Sequence, residues 1–146
     1  MPRADWLIPL SHDHHQALVL ARRARLAGQG KPSPDGRSLE KDEVWNEVEE
    51  KFKSELAPHF DQEESILLPA MKRAGEEELV EETLRQHREI RSCLVEDGGD
   101  LASRLLRFGE LLDAHVRFEE RTLFEVAERT VDRAAQSELI RVRQEQ

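Results

Sequence analysis

The chain has 146 residues, 22 of them basic and 31 acidic, with 36% charged and only 5% aromatic residues. This length suits a single domain over residues 1–146. The formal charge of −9 disfavours binding to nucleic acid or to an anionic membrane surface. The scarcity of aromatic residues favours helices over sheets. Because Cys93 is the single cysteine, no intramolecular disulfide can form, and the composition favours the cytoplasm.

The N-terminal apolar run WLIPL, residues 6–10, is far shorter than a membrane span and lacks the features of a secretion signal. We interpret it as a strap that closes one end of the fold. A first helix follows, capped by Ser11 or Asp13, and runs to about Ala27. The stretch 28–36 is rich in Gly and Pro and predicts a loop.

The second predicted helix has an inward face whose residues step by three and four, namely Trp45, Val48, Phe52, Leu56, His59, Glu63, Ile66 and Ala70. Pro69 and Gly75 are expected to end this helix. Pro58 lies inside the pattern, which keeps its register across the proline. We therefore expect a kink just before His59 and not a break.

The third predicted helix spans about 76–96, with inward residues Val80, Leu84, His87, Ile90 and Leu94. The turn DGGD, residues 97–100, leads to a fourth helix, for which Asp100 is a suitable N-cap. The inward face of this helix is Leu101, Leu105, Phe108, Leu112, His115, Glu119, Thr122 and Val126. From Asp132 onwards we expect a short polar helix or a frayed tail. The predicted fold is all-α, an antiparallel up-down-up-down four-helix bundle.

The pattern H-x-x-x-E-E-x-x-L occurs twice, beginning at His59 and at His115. In both copies the His and the first Glu, Glu63 or Glu119, occupy inward positions that should hold Leu or Val. His and Glu four residues apart share one helix face, so each pair can offer a nitrogen and an oxygen to one small volume. Burying these groups without partners would cost several kcal/mol each, which a metal cation would offset. The alternative is a buried salt-bridge network, but the duplicated spacing favours a metal site.

Helices one and three each contribute one further inward histidine. A helical wheel directs His14 inward, although the adjacent His15 would replace it after a small rotation. His87 lies on the inward face of helix three, where the alternative is an ordinary core histidine. The predicted metal ligands are therefore His14, His59, Glu63, His87, His115 and Glu119.

These ligands form two similar halves, because helices one and two supply His and then H-x-x-x-E, as do helices three and four. A pseudo-twofold axis predicts two metal ions, each with two imidazoles, bridged by both carboxylates. A bridging oxygen from solvent would leave one open position on each ion. Without a thiolate, and with bridging carboxylates, the set favours iron or manganese. Structural zinc sites are usually closed by four Cys and His ligands, so zinc is expected only as a substitute.

Several polar residues near these ligands have two readings. Glu64 and Glu120, the second Glu of each copy, are either solvated charges or hydrogen-bond partners of the ligands. Arg91 either closes the mouth of the site or extends along the helices with its charge in solvent. His12 is expected to be a capping or surface residue. Cys93 is expected to be a buried small residue and not a redox switch.

Four stretches, SHDHH at 11–15, HFDQEE at 59–64, QHREI at 86–90 and HVRFEE at 115–120, together resemble the hemerythrin-like, or HHE, cation-binding domains. The resemblance covers about residues 8–130. It implies a four-helix bundle with a non-haem di-iron centre bridged by carboxylates. The four predicted histidines match the iron-binding imidazoles of the family, and Glu63 and Glu119 match its bridging carboxylates. The implied activities are reversible dioxygen binding, iron or redox sensing, and repair or delivery of iron.

The chain departs from the oxygen carriers of this family at two places. They have a fifth His one turn after the helix-three ligand, where this chain has Arg91. They also have an Asp five residues after the last His, whereas here Glu119 follows at four. The set of four His and two Glu looks more like the bacterial HHE proteins linked to iron-centre repair and the domain of an iron-sensing ubiquitin ligase. This argues against oxygen transport.

We therefore expect a di-iron protein that binds dioxygen, nitric oxide or iron in a sensing, storage or iron-homeostasis role, with a protein partner to transmit the signal. The alternative is a di-iron oxidoreductase that reduces peroxide or nitric oxide with an external reductant, or an iron–sulfur centre repair factor. The chain lacks the N-terminal cysteine-bearing segment of many repair proteins. A metal-free or zinc-filled structural bundle is disfavoured, because no Lys or Arg occupies the inner positions of helices two and four.

Overall fold

The computed structural model describes residues 2–95 and 99–145, in which helices are the only regular elements and no strand occurs. A 3₁₀ turn, Asp5–Leu7, precedes five helices: α1 (Ile8–Gln29), α2 (residues 41–73), α3 (Glu77–Val95), α4 (residues 101–130) and α5 (Arg133–Gln144). The all-α class is confirmed. Within these residues, no helix is both long enough and apolar enough to cross a membrane.

Among α1 to α4, helices that follow one another in the chain pack in opposite directions. Arg23, late in α1, pairs with Glu47, early in α2, at 2.9 Å. Asp13, early in α1, contacts His59, further along α2, at 2.9 Å. Contacts between α2 and α3, between α3 and α4, and between α4 and α1 show the same opposite directions.

Helix α1 begins earlier than predicted. Its first residue is Ile8, with Pro9 in the first turn, where the missing N–H of proline is not needed. The prediction that Ser11 or Asp13 caps this helix is therefore wrong, since both residues lie inside it. Helix α1 ends at Gln29, and Gly30 follows in the left-handed conformation (φ 70°).

Helix α2 passes both of its prolines without a break. Its α-helical segments Lys41–Lys51, Ala57–Gln62 and Leu68–Arg73 are joined by π-helical turns at Phe52–Leu56 and Glu63–Leu67. Pro58 and Pro69 each come two residues after a π-helical turn, where the hydrogen-bond pattern has already changed and the missing N–H is tolerated. The continuation through Pro58 is confirmed, and the prediction that Pro69 ends the helix is wrong. The end before Gly75 (φ 90°) is confirmed.

A third π-helical turn, Glu119–Leu123, lies in α4 between the segments Leu101–Phe118 and Phe124–Thr130. Each π-helical turn adds one residue to a turn and so shifts the inward face by one position. Thr122, predicted to face inward, is exposed, whereas Leu123 is fully buried. In α2 the same shift buries Leu67 in place of Ile66.

Helix α3 is described to Val95, so its predicted end at 96 and the residues 97 and 98 of the turn lie outside the described residues. Its buried face includes Thr83 and Cys93, whereas Leu84 and Leu94, predicted to face inward, are partly exposed. The Asp100 carboxylate accepts a hydrogen bond from the Ser103 N–H at 2.8 Å, which confirms the predicted cap of α4.

The segment after Asp132 is a helix, α5, and not a frayed tail. Asp132 caps it by accepting from the Ala135 N–H at 2.9 Å. Ala135 and Leu139 are buried against the other helices. Helix α5 is therefore amphipathic and docked, although only two of its residues enter the core.

The buried apolar side chains form two clusters. One surrounds the second half of α1 and includes Phe60 and Leu112, and the other joins the N-terminal strap to the late parts of α2 and α4 and includes Leu67 and Leu123. Trp6, Leu7 and Leu10 are buried in the second cluster, as expected of a segment that closes one end of the fold, but residues 8–10 already belong to α1. The predicted ligands lie between the clusters along α2 and α4.

The backbones of α1 and α4 approach closely at two glycines. A Cβ on Gly109 would lie 2.6 Å from the carbonyl oxygen of Ala21, and one on Gly28 would lie 2.7 Å from that of Ala102. Neither glycine has a positive φ. The short distance between the two backbones, and not the conformation of the chain, therefore requires glycine.

The substitution Gly109→Ala should lower the free energy of unfolding by about 1–3 kcal/mol, because the added methyl overlaps backbone atoms that cannot rotate away. This loss outweighs the gain in helix propensity of about 1 kcal/mol. Urea unfolding with a chelator present measures the effect. The control Glu110→Ala, at the exposed next position, should change stability by less than about 0.5 kcal/mol. A more stable Gly109→Ala protein would contradict the close contact.

Candidate metal centre

The six predicted ligands meet in one buried layer between the two apolar clusters. Each has at most 4% of its surface exposed. They form two overlapping groups, one of His14, His59, Glu63 and Glu119 and the other of Glu63, His87, His115 and Glu119. Within each group, one nitrogen or oxygen atom per residue lies within 4.8 Å of the others. Both groups contain the same two carboxylates, as the two-half pattern of the sequence predicted.

Both shared carboxylates begin a π-helical turn. Glu63 is the first residue of the turn Glu63–Leu67, and Glu119 is the first residue of the turn Glu119–Leu123. π-helical turns interrupt the regular backbone pattern and are frequent at functional sites. The two copies of the H-x-x-x-E-E pattern thus share a local backbone conformation as well as a sequence.

Each histidine directs Nε2 toward the centre and Nδ1 toward an oxygen outside it. The Nδ1 acceptors are Glu120 for His14 (2.6 Å), Asp13 for His59 (2.9 Å), Glu64 for His87 (2.5 Å) and Gln86 for His115 (2.7 Å). Because a carboxylate can only accept, the first three contacts place a proton on Nδ1. This tautomer leaves the Nε2 lone pair for a metal, and an Nδ1–H bonded to an oxygen is the usual support of a metal-binding histidine.

The outer carboxylates are themselves held by neighbours. Arg91 donates to Glu64 at 2.7 Å, and its guanidinium lies over the Phe60 ring, 5.4 Å from the centroid. The Ser11 hydroxyl donates to Glu120 at 2.6 Å. Glu64 and Glu120 are therefore hydrogen-bond partners of the ligands and not free solvated charges. Arg91 therefore holds Glu64 in place.

Three residues that hold the predicted ligands in place, directly or through a neighbour, were absent from the sequence-based predictions. Asp13 and Gln86 each precede a ligand, His14 or His87, so the signal was a polar acceptor directly before each single histidine. Arg143 of α5 pairs with Asp13 and donates to Gln62 at 3.1 Å. No pattern indicated this contact, because periodicity does not show where a terminal helix docks.

The remaining histidines lie outside the centre. His14 faces inward, as the helical wheel predicted, whereas His15 is exposed. His12 is also exposed, and since α1 begins at Ile8 it is a surface residue and not a cap. His12 and His15 line a surface cavity of about 680 Å³ between α1, α2 and α5 that extends to His59.

Three buried atoms of the centre have no hydrogen-bond partner: Glu63 Oε2, His115 Nε2 and Glu119 Oε2. His115 Nε2 lies 3.1 Å from Glu119 Oε2, and His59 Nε2 lies 3.2 Å from Glu63 Oε2, but neither contact has hydrogen-bond geometry. A buried polar atom without a partner costs about 1–3 kcal/mol. A cation coordinated by these atoms would remove that cost, so the residues fit a metal.

Without metal, the neighbouring carboxylates favour the protonated forms of His14 and His87. Burial lowers the pKa of His14, but the hydrogen bonds to Glu119 and Glu120 outweigh it and raise the pKa to about 9. Burial likewise opposes the charged form of His87, yet the central carboxylates raise its pKa to about 10. Burial also raises the pKa of Glu119, but the surrounding histidines hold it well below its usual range.

These pKa values predict that the stabilisation by His14 and His87 in the metal-free protein and the stabilisation by added metal depend on pH in opposite directions. An unfolded histidine has a pKa of about 6.5. Because the folded pKa values of His14 and His87 are higher, their stabilising contribution is complete below about pH 6.5 and is lost as the pH rises through about 9 to 10. A cation competes with these protons, so the gain in melting temperature on adding Co²⁺ should increase between about pH 6 and pH 8.5.

Paired thermal melts with chelator and with Co²⁺ measure that gain at each pH. The variant His15→Ala, which changes an exposed histidine outside the centre, should show the same trend. A gain that shrinks as the pH rises would contradict the protonation described above.

The chain matches a known protein family. Residues 7–127 match the family described as Hemerythrin HHE cation binding domain. No curated protein and no solved structure shows significant similarity to the chain. The match covers all six predicted ligands and their four Nδ1 acceptors, whereas α5, with Arg143, lies beyond it.

Proposed function

Because the chain belongs to the hemerythrin HHE cation-binding domain family, we propose that α1–α4 form an antiparallel up-down-up-down four-helix bundle that holds two iron ions bridged by carboxylates. The observation that carries this proposal is the pair of overlapping ligand groups that share Glu63 and Glu119. Two carboxylates common to two sets of histidines suit two adjacent cations better than one. The unpaired atoms Glu63 Oε2 and Glu119 Oε2 further support it.

The donor atoms favour iron. All are imidazole nitrogens or carboxylate oxygens, a combination that suits iron and, as substitutes, manganese or zinc. A bound iron pair supplies coordination of a diatomic molecule and one-electron redox chemistry. The protein supplies the rest: His14, His59, His87 and His115 bind through Nε2, their Nδ1 acceptors hold the ring orientations, and the buried layer limits access of water.

The space beside the histidines favours a small ligand. A cavity of about 10 Å³, room for about one water-sized molecule, adjoins His14, His59 and His115. The apolar part of its lining is Ala17, Leu56, Phe60, Leu112 and Val116. An apolar space of this size suits dioxygen or nitric oxide better than a larger or charged substrate.

We therefore propose that the protein binds dioxygen, nitric oxide or iron itself in a sensing, storage or iron-homeostasis role in the cytoplasm. The position one turn after His87 holds Arg91, and this side chain is engaged with Glu64 and is not part of either ligand group. The ligand set therefore stays at four histidines and two glutamates, unlike the five-histidine set of the oxygen carriers.

The test begins with metal analysis of protein purified without chelators and then loaded anaerobically with Fe²⁺. We expect about two iron ions per chain and an optical change on adding nitric oxide or air. With an external reductant present, neither gas nor peroxide should be consumed continuously. Sustained consumption would replace the binding role by an oxidoreductase. Less than one metal ion per chain after Fe²⁺ loading would overturn the di-iron proposal.

A further inference from the structure

The two halves of the metal centre differ in the chemistry of one Nδ1 acceptor. Along the chain, the equivalent residue pairs are His14 and His87, His59 and His115, Glu63 and Glu119, and Glu64 and Glu120. The Nδ1 acceptors of His14 and His87 are both carboxylates. The acceptors of His59 and His115 also occupy equivalent positions, directly before His14 and His87, but one is Asp13 and the other is Gln86.

The contacts around these two acceptors fix their chemistry. Asp13 Oδ2 accepts from His59 Nδ1 at 2.9 Å, and Asp13 also pairs with Arg143 of α5. Gln86 Oε1 accepts from His115 Nδ1 at 2.7 Å. The Gln86 Nε2 group donates to Glu82 at 2.8 Å, which assigns the amide oxygen to the histidine. His59 is therefore supported by an anion, and His115 by a neutral amide.

This difference changes the strength of the histidines as ligands. A carboxylate draws the Nδ1 proton more strongly than an amide oxygen does and makes Nε2 a better electron donor to a cation. Arg143 offsets part of the charge of Asp13 but also holds it in place. Changes in such outer partners typically alter metal affinity about 10–100-fold.

We propose that the two metal positions are unequal and that the position of His14 and His59 binds a divalent cation more tightly, and so fills first, because Asp13 supports His59 where Gln86 supports His115. This inference rests on the proposed two-metal function. It concerns Asp13 and Gln86 as positioning residues, since neither belongs to the ligand groups.

Anaerobic titration with Co²⁺ alone, followed by its visible absorption and by calorimetry, tests the inference. Wild-type protein should bind two equivalents in two steps whose dissociation constants differ by about tenfold or more. The variant His14→Ala should lose the tighter step, and His87→Ala should lose the weaker one. This pair assigns each step to one half of the centre.

Two exchanges then test the cause. Asp13→Asn keeps an acceptor oxygen for His59 but removes the negative charge of the side chain. The tighter step should therefore weaken about tenfold, so that the two dissociation constants become similar. The double variant Gln86→Glu, Glu82→Gln places a carboxylate beside His115 and keeps the hydrogen bond between the two side chains. This double variant leaves the contact between Asp13 and α5 unchanged. It should lower the dissociation constant of the weaker step until the two constants are similar. Glu82→Gln alone is the control and should leave both steps unchanged.

Two equal dissociation constants in wild-type protein would overturn the inference while leaving the two-metal function intact. So would a difference between the two constants that persists both in Asp13→Asn and in the double variant. Loss of the weaker step in His14→Ala would overturn the assigned order. Binding of fewer than two equivalents by wild-type protein would overturn the proposed function, and the inference with it.

Discussion

The variant Glu119→Gln is expected to reduce iron binding from about two ions per chain to one or none, with the remaining affinity lowered ~100-fold or more. Glu119 is fully buried and lies within 3.8 Å of an Nε2 atom of all four histidines. The amide has nearly the same shape as the carboxylate, but it carries no charge and presents an NH₂ group where a second cation would bind. Metal analysis after anaerobic Fe²⁺ loading and desalting measures the loss.

The control for this variant is Glu110→Gln, an exposed position of the same helix outside the ligand groups, which should retain full iron content. A Glu119→Gln protein that binds two irons with wild-type affinity would show that Glu119 is not a shared ligand. The salt-bridge reading of the centre would then be the better one.

Metal loading is expected to raise the melting temperature substantially. A ligand that binds only the folded state adds about 4 kcal/mol of stability at 1,000 times its dissociation constant. For a chain of this size, one kcal/mol corresponds to about 3–5 °C, so the shift should be ~10–20 °C. Differential scanning calorimetry of chelator-treated protein, before and after anaerobic Fe²⁺ loading, measures it.

The physical origin of this shift is the centre itself. Without metal, the fold keeps Glu63 Oε2, His115 Nε2 and Glu119 Oε2 buried without partners. Glu119→Gln should lose most of the shift, which separates site binding from nonspecific effects of iron. An equal shift in that variant, or none in wild-type protein, would mean that the buried layer does not bind the metal.

The positions of the ligands could be predicted from sequence because their signal is local. His59 and Glu63 lie one turn apart whatever the rest of the helix does, and the same holds for His115 and Glu119. The π-helical turns that follow could not be predicted in this way. Periodicity assumes a constant number of residues per turn, so the inward face was placed one residue too early at Thr122. Pro58 and Pro69 gave a weak signal in α2, but the turn in α4 contains no proline at all.

The outer partners were harder to predict because they depend on pairs of helices. Asp13 and Ser11 read as caps in isolation, since such residues favour helix starts. Once the helix begins at Ile8, both lie along its side and contact α2 and α4 instead. Arg143 depends on the docking of α5, whose two buried residues give little indication of its partner surface.

The close contact of α1 and α4 at two glycines also bears on the side from which the centre is reached. At Gly28 and Gly109 the backbones of these two helices approach closely, which leaves little space between them there. The cavity of about 680 Å³ lies on another side, between α1, α2 and α5, and His59 is the ligand that lines it. A cation arriving from that cavity meets His59 before the other three histidines. The order of encounter along this path is then the same as the order of affinity inferred for the two positions.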